Sequence, residues 1–184
     1  MGAPRIIAGA WRGRALGAPQ GLTTRPTAGR VRQALFDMLM HAPWAEGAVD
    51  GNTVLDVFAG SGALGLEALS RGAANATFID NNRAAMDMIR RNIAACNATD
   101  RARLVPADAL NPPQGSPHGL ILLDPPYGND LIPRAIAALD KTGWIAPDAL
   151  IAAEFGRSDP LPYGIEPLAE RTHGAARLVI WSSR

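Results

Sequence analysis

The stretch TVLDVFAGSGALGLEALSRG, residues 53–72, limits the possible folds more than any other part of the chain. An apolar, β-branched run (53–58) meets three glycines spaced Gly60-x-Gly62-x-x-Gly65, and a helical pattern (62–72) follows at once, ended by Gly72. Glycine lets backbone turn tightly and approach a ligand closely, and a helix start offers N–H groups with no partner inside the helix. Strand, glycine turn and helix predict the opening of a βαβ unit, and ATFID (76–80) supplies its second strand. The alternation continues with a helix over 82–97, whose face carries Met86, Ile89, Ile93 and Cys96. ARLVPAD (102–108), GLILLD (119–124) and ALIAAEF (149–155) read as strands, and 130–141 as a helix. This pattern predicts an α/β fold, a mostly parallel sheet with right-handed crossovers. IEPLAER (165–171) and AARLVIW (175–181), joined at Thr172-His173-Gly174, predict an antiparallel terminal hairpin. GRSDPLPYG (156–164), which precedes it, is too short and proline-rich for a crossover helix.

Residues 4–17 ahead of this region read as a short hairpin, 18–26 as extended, and 42–52 as a loop. Thr27 is placed to cap a helix in which Val31, Ala34, Leu35, Met38 and Leu39 share a face opposite Arg30, Gln33 and Asp37. The expected organisation is a small extension, 1–45, on a main domain, 46–184, a size that suits one sizeable core. Charge is divided the same way. Residues 1–36 hold Arg5, Arg12, Arg14, Arg25, Arg30 and Arg32 and no acid, while the remainder holds 12 basic and 17 acidic residues, a net −5. A basic arm on an acidic body suits a polyanion, and arginine offers a planar fork to phosphate and guanine edges. Those six arginines are the candidate polyanion contacts.

Several classes drop out. No apolar run approaches a membrane span, and MGAPRIIAGAW lacks the apolar segment of a secretory signal. Ile6 stands where a myristoylation signal needs Ser or Thr. Cys96 is the sole cysteine, so no internal disulfide forms, and a buried, inert thiol in a reducing cytoplasm is expected. His41, His118 and His173 lie far apart, and no metal site is expected.

The ligand of the glycine loop is read from its acids. Asp56 lies inside the strand, where a pyrophosphate binder keeps apolar residues, and Asp80 ends the next strand, where a carboxylate can accept from a ribose diol. Asp108, after the third strand, can reach an adenine amine. Acids without a basic partner favour S-adenosylmethionine, with its sulfonium and ammonium and no phosphate, over NAD. Asp124-Pro125-Pro126-Tyr127 ends the GLILLD strand and so faces the same crevice. A carboxylate and a backbone carbonyl there can each accept an N–H from a planar exocyclic amine and aim its lone pair at a methyl group. The prolines hold that backbone still, and Tyr127 offers a face for an unstacked base.

With these motifs in view, the chain resembles the RsmD family, bacterial 16S rRNA (guanine-N2)-methyltransferases with a Rossmann-like class I S-adenosylmethionine-dependent fold. The resembling stretches are RIIAGAWRGRAL, TRPTAGRVRQALFDML, VLDVFAGSGALGLEALSRGA, FID, DPPY and GWIAPDALIAAE, almost the whole chain. The resemblance implies methylation of one guanine at N2, on an assembled or nearly assembled small subunit, by a cytoplasmic monomer. It implies that Asp56, Phe58, Gly60, Ser61 and Gly62 line the methionine side, Asp80 the ribose and Asp108 the adenine, and that Asp124, Pro125, Pro126 and Tyr127 form the catalytic motif. Gly29 and Gln33 stand where the family usually has acids. Three alternatives fit less well. A DNA adenine-N6 methyltransferase would need a larger target-recognition region. An NAD-dependent oxidoreductase would need a substrate domain and a proton-transferring residue. An inactive RNA-binding assembly factor would not need DPPY and FAGSG intact.

Overall fold

Strand runs apolar on both faces belong in the middle of a sheet covered on both sides, and five such runs form the centre here. The computed structural model describes residues 4–18, 26–126 and 130–183, the side chains of 26–28 excepted. The elements are α1 (Pro26–His41), β1 (Thr53–Val57), α2 (Ala63–Ser70), β2 (Asn75–Asp80), α3 (Arg83–Ala95), β3 (Ala102–Pro106), β4 (His118–Leu123), α4 (Leu131–Lys141), β5 (Ile145–Gly156), β6 (Ala169–His173) and β7 (Ala176–Ser182). They make one seven-stranded sheet in the order β3-β2-β1-β4-β5-β7-β6. The first five positions are parallel, and β7 and β6 close the edge antiparallel. The expected α/β fold, mostly parallel with a terminal hairpin, is what forms.

Successive residues of a strand face opposite sides, and the core divides accordingly. Leu55, Val57, Ile79, Ile121 and Leu123 pack beneath α4, with Leu139 and the fully buried Trp144. Val54, Phe78, Leu120 and Leu122 face the other way, toward Leu66 of α2 and Ile89 of α3. Ile6 and Leu16 of the N-terminal hairpin, and Leu35, Phe36 and Leu39 of α1, are buried in this second layer. The hairpin is a single antiparallel bridge, Arg5 to Ala15.

The structure moves several expected boundaries. α1 starts at Pro26, whose fixed φ and missing N–H suit a first helical position, so Thr27 lies inside the helix rather than capping it. β3 stops at Pro106, which leaves Asp108 two residues beyond the strand. β5 begins at Ile145, not 149, because it continues past an irregularity: the register to β4 shifts between His118 and Leu120, and Asp148 takes φ +57°. Pro147 and Asp148 hide that first part of the strand from the sequence. β6 runs over 169–173 rather than 165–171, and the turn falls at Gly174-Ala175. As an exposed edge strand, β6 has no buried alternation to fix its register. A 3-10 turn, Pro43–Ala45, interrupts the expected 42–52 loop.

Candidate active site

In a parallel sheet, ligands gather at the carboxyl ends of strands, where the order of connection reverses. Here that point lies between β1 and β4. Val57 is in register with Ile79 of β2 and Leu123 of β4, so Phe58, Asp80 and Asp124 emerge along one edge. The glycine loop and the DPP turn are therefore neighbours, although 60 residues of chain separate them.

The loop leaves β1 through left-handed backbone. Phe58 has φ +60°, Gly60 +57° and Gly62 +75°. Phe58 is the one residue of the three with a side chain, and such strain is concentrated at functional sites. Asp56 lies underneath, almost fully buried, and its Oδ2 accepts the Gly65 N–H at 2.8 Å. Gly65 must be glycine: a Cβ there would lie 2.4 Å from the Phe78 ring. Asp80 grips the loop from β2. Its Oδ2 accepts from Gly60 N–H and its Oδ1 from Asn82 N–H, both at 2.8 Å. Carboxylate oxygens have further lone pairs, so both acids can hold the loop and still accept from a ligand. Asp108 is exposed, and its Oδ1 accepts from Leu110 N–H at 3.0 Å.

Burial pushes the Asp56 carboxyl well up, against the Gly65 hydrogen bond, and the charges of Asp124 and Asp80 push the same way. Asp124 has an open side toward solvent, and protein surrounds it elsewhere. That enclosure first, and the charge of Glu154 second, raise its carboxyl to about 7. Asp56, with the charges of Asp124 and Asp80 acting on it, fits a cationic ligand without phosphate. Pro125 is buried and Pro126 exposed. Neither has an N–H, so this strand end presents acceptors only. Tyr127 lies outside the described residues.

The arm is fastened to the glycine loop and its flanking helices by buried polar groups. Glu67 of α2 is fully buried. It accepts Ile7 N–H at 2.8 Å, Ala8 N–H at 3.0 Å and Arg71 Nε at 2.8 Å, with Arg32 Nε 3.7 Å away. Ser70 Oγ donates to the Ala8 carbonyl and accepts from Trp11 N–H. Gly9 passes so close that a Cβ would lie 1.8 Å from the Ser70 carbonyl oxygen. The Asn92 amide, on α3, accepts Gly17 N–H at 2.7 Å and donates to the Gly17 and Ser61 carbonyls at 3.0 and 2.8 Å. One side chain thus joins the arm to the glycine loop.

Of the six candidate polyanion contacts, Arg5, Arg12, Arg14 and Arg30 are exposed. Arg5 Nη1 donates to the Gly13 carbonyl within the hairpin, and Arg14 to that of Ala95. Arg32 departs from the expectation. It is 7% exposed, donates to the Arg5 carbonyl and pairs with Glu67, so its guanidinium is turned away from any surface. Arg25 lies outside the described residues. Cys96 is buried, and burial pushes its thiol up. His118 is a core residue between Thr77 Oγ1 and the Ser116 carbonyl, stacked on Trp144.

Glu67, Asn92 and Glu154 belong to no motif in the sequence. Glu67 was visible as a lone acid in the apolar helix ALGLEALS, and Asn92 as a polar residue between Ile89 and Ile93. Glu154 needed the β4–β5 register.

The family model described as Conserved hypothetical protein 95 matches residues 4–182. Ribosomal RNA small subunit methyltransferase D of Escherichia coli K12 is 42% identical over 86% of this chain and 77% of its own. The Haemophilus influenzae protein of the same name is 37% identical over 94% and 90%. The solved structure of Escherichia coli yhhF superposes with a TM-score of 0.84, at 37% identity, over 100% of this chain and 99% of that one. An RNA methyltransferase from Salinibacter ruber, solved with S-adenosyl-L-homocysteine, has the same fold at 14% identity, with a TM-score of 0.59 over 88% and 93%. The chain belongs to the Conserved hypothetical protein 95 family, that of the RsmD methyltransferases.

Proposed function

We propose that this member of the family methylates ribosomal RNA of the small subunit from S-adenosylmethionine, and that the acceptor is the exocyclic N2 of one guanine in 16S rRNA. The observation that carries the reading is the adjacency of the glycine loop on β1 and Asp124 on β4, across one strand pairing. The cofactor, when bound, supplies an electrophilic methyl on a sulfonium. Asp56 and Asp80 provide negative charge and acceptors on the donor side, with Phe58, Gly60, Ser61 and Gly62 shaping the loop and Asp108 on the adenine side.

On the acceptor side, the Asp124 carboxylate accepts one amine N–H and a backbone carbonyl of the proline turn accepts the other. This pulls the nitrogen out of conjugation and directs its lone pair. Pro125 and Pro126 fix the turn, and Tyr127 supplies a ring for the base to lie against. The methylated nitrogen is acidic and loses its proton to solvent or to Asp124, so no separate strong base is required. Residues 1–45 form the RNA-contacting extension, with Arg5, Arg12, Arg14, Arg25 and Arg30 meeting phosphate, and 46–184 carry the chemistry.

The test is tritiated methyl transfer to small subunits from a strain lacking the enzyme, followed by digestion to nucleosides. Label in N2-methylguanosine is the expected result. Label in another nucleoside overturns the guanine assignment, and no transfer to subunits overturns the substrate.

A further inference from the structure

We propose that Glu154 selects the base, its carboxylate accepting the N1–H of guanine while Asp124 accepts from N2. The inference rests on the guanine-N2 reading above and adds the residue that enforces it. Leu123 of β4 is in register with Ala153 of β5, so Asp124 and Glu154, next on each strand, emerge side by side about 4.8 Å apart in backbone. They are close enough for the charge of Glu154 to act on Asp124.

Beyond them a cavity of about 130 Å³ opens between the DPP turn and the chain after β5. A single water needs roughly 10–15 Å³, so there is room for a planar ring. Pro125, Pro126, Phe155 and Leu161 give it apolar walls, and Glu154 lines it among them. Asp159 also lines the cavity, its Oδ2 accepting Gly156 N–H at 2.8 Å. Glu154 is half-buried.

An extruded base is read on its Watson–Crick edge. Guanine presents two adjacent donors there, N1–H and N2–H, and two adjacent carboxylates complement them. Adenine presents a lone pair at N1, which would meet a carboxylate head-on. The same geometry therefore attracts one purine and repels the other, the two components of specificity.

The experiment compares wild type, E154Q and E154A on small subunits reconstituted with 2-aminopurine at the target position. This base keeps the 2-amine but has a lone pair at N1. A site built to hydrogen-bond a donor rejects an analogue lacking it strongly, so wild type is expected to favour guanine by at least about 100-fold in kcat/KM. An amide can accept or donate, and alanine does neither, so in both variants the preference should fall below about tenfold. Cofactor affinity, by calorimetry, should stay within about twofold in whichever variant folds, as expected for a group outside the cofactor half. An unchanged preference overturns the role of Glu154 while leaving the guanine-N2 reading intact. Wild-type transfer to some position other than guanine N2 overturns that reading, and the inference with it.

Discussion

The two halves of the proposed site are built by opposite means. The proposed cofactor half is held by a set of hydrogen bonds: Gly65 to Asp56, Gly60 to Asp80, Asn92 to the Ser61 carbonyl, and the arm to Glu67. The acceptor half is held by covalent stiffness, two prolines at a strand end beside an open cavity. A small, invariant cofactor suits a loop fixed in advance by buried donors and acceptors. A base that must be drawn out of RNA needs an entrance, and proline provides rigidity there without consuming acceptors. The contrast predicts that damage to the first half shows in stability and cofactor affinity, and damage to the second in turnover.

Glu67→Ala should break that separation most severely. It leaves two arginines and two backbone donors facing a buried void, a loss of about 3–5 kcal/mol of unfolding free energy by denaturant titration. A change under about 1 kcal/mol would mean that Glu67 is not what holds the arm. Asp124→Ala should cost about 10²–10³-fold in kcat, as loss of one preorganised polar contact to a reacting group does, with cofactor affinity and stability close to wild type. Near-normal turnover would remove Asp124 from the chemistry.

A pH profile sharpens the comparison further. The Asp124 carboxyl, raised to about 7, offers a charged acceptor only when ionised; protonation turns one of its oxygens into a donor. It is protonated below that value, so kcat/KM should fall about tenfold per pH unit below 7 and level off above it. A flat profile from pH 5 to 8 would show that this ionisation does not limit the reaction. The smallest effect is expected at the surface: Arg12→Ala with Arg14→Ala should weaken subunit binding and reduce its salt slope by about two, one for each lost phosphate contact. An unchanged slope would leave the arm as a solvated surface.

Much of this was legible in the sequence because it is local. The βαβ opening, the glycine turn and the strand-end acids are short-range patterns, and all lie where they were expected, Asp108 two residues beyond its strand. What stayed hidden depends on contacts between distant residues. Arg32 reads as one more exposed cation until Glu67, 35 positions on, is known to be buried against it. Asn92 reads as a polar interruption until Gly17 and Ser61 are seen on its two sides. Glu154 gains meaning only from the pairing of β5 with β4. The β6 boundary failed for another reason: an exposed edge strand leaves the register to the turn.

The Asn92 bridge also bears on how the chain is made. Gly17 and its partner are 75 residues apart, and Ile7 is 60 from Glu67. The arm is synthesised before α2 and α3, yet it cannot dock until they have followed, and closing such long loops carries an entropic cost. Until then the basic hairpin emerges from the ribosome ahead of the elements that hold it in place.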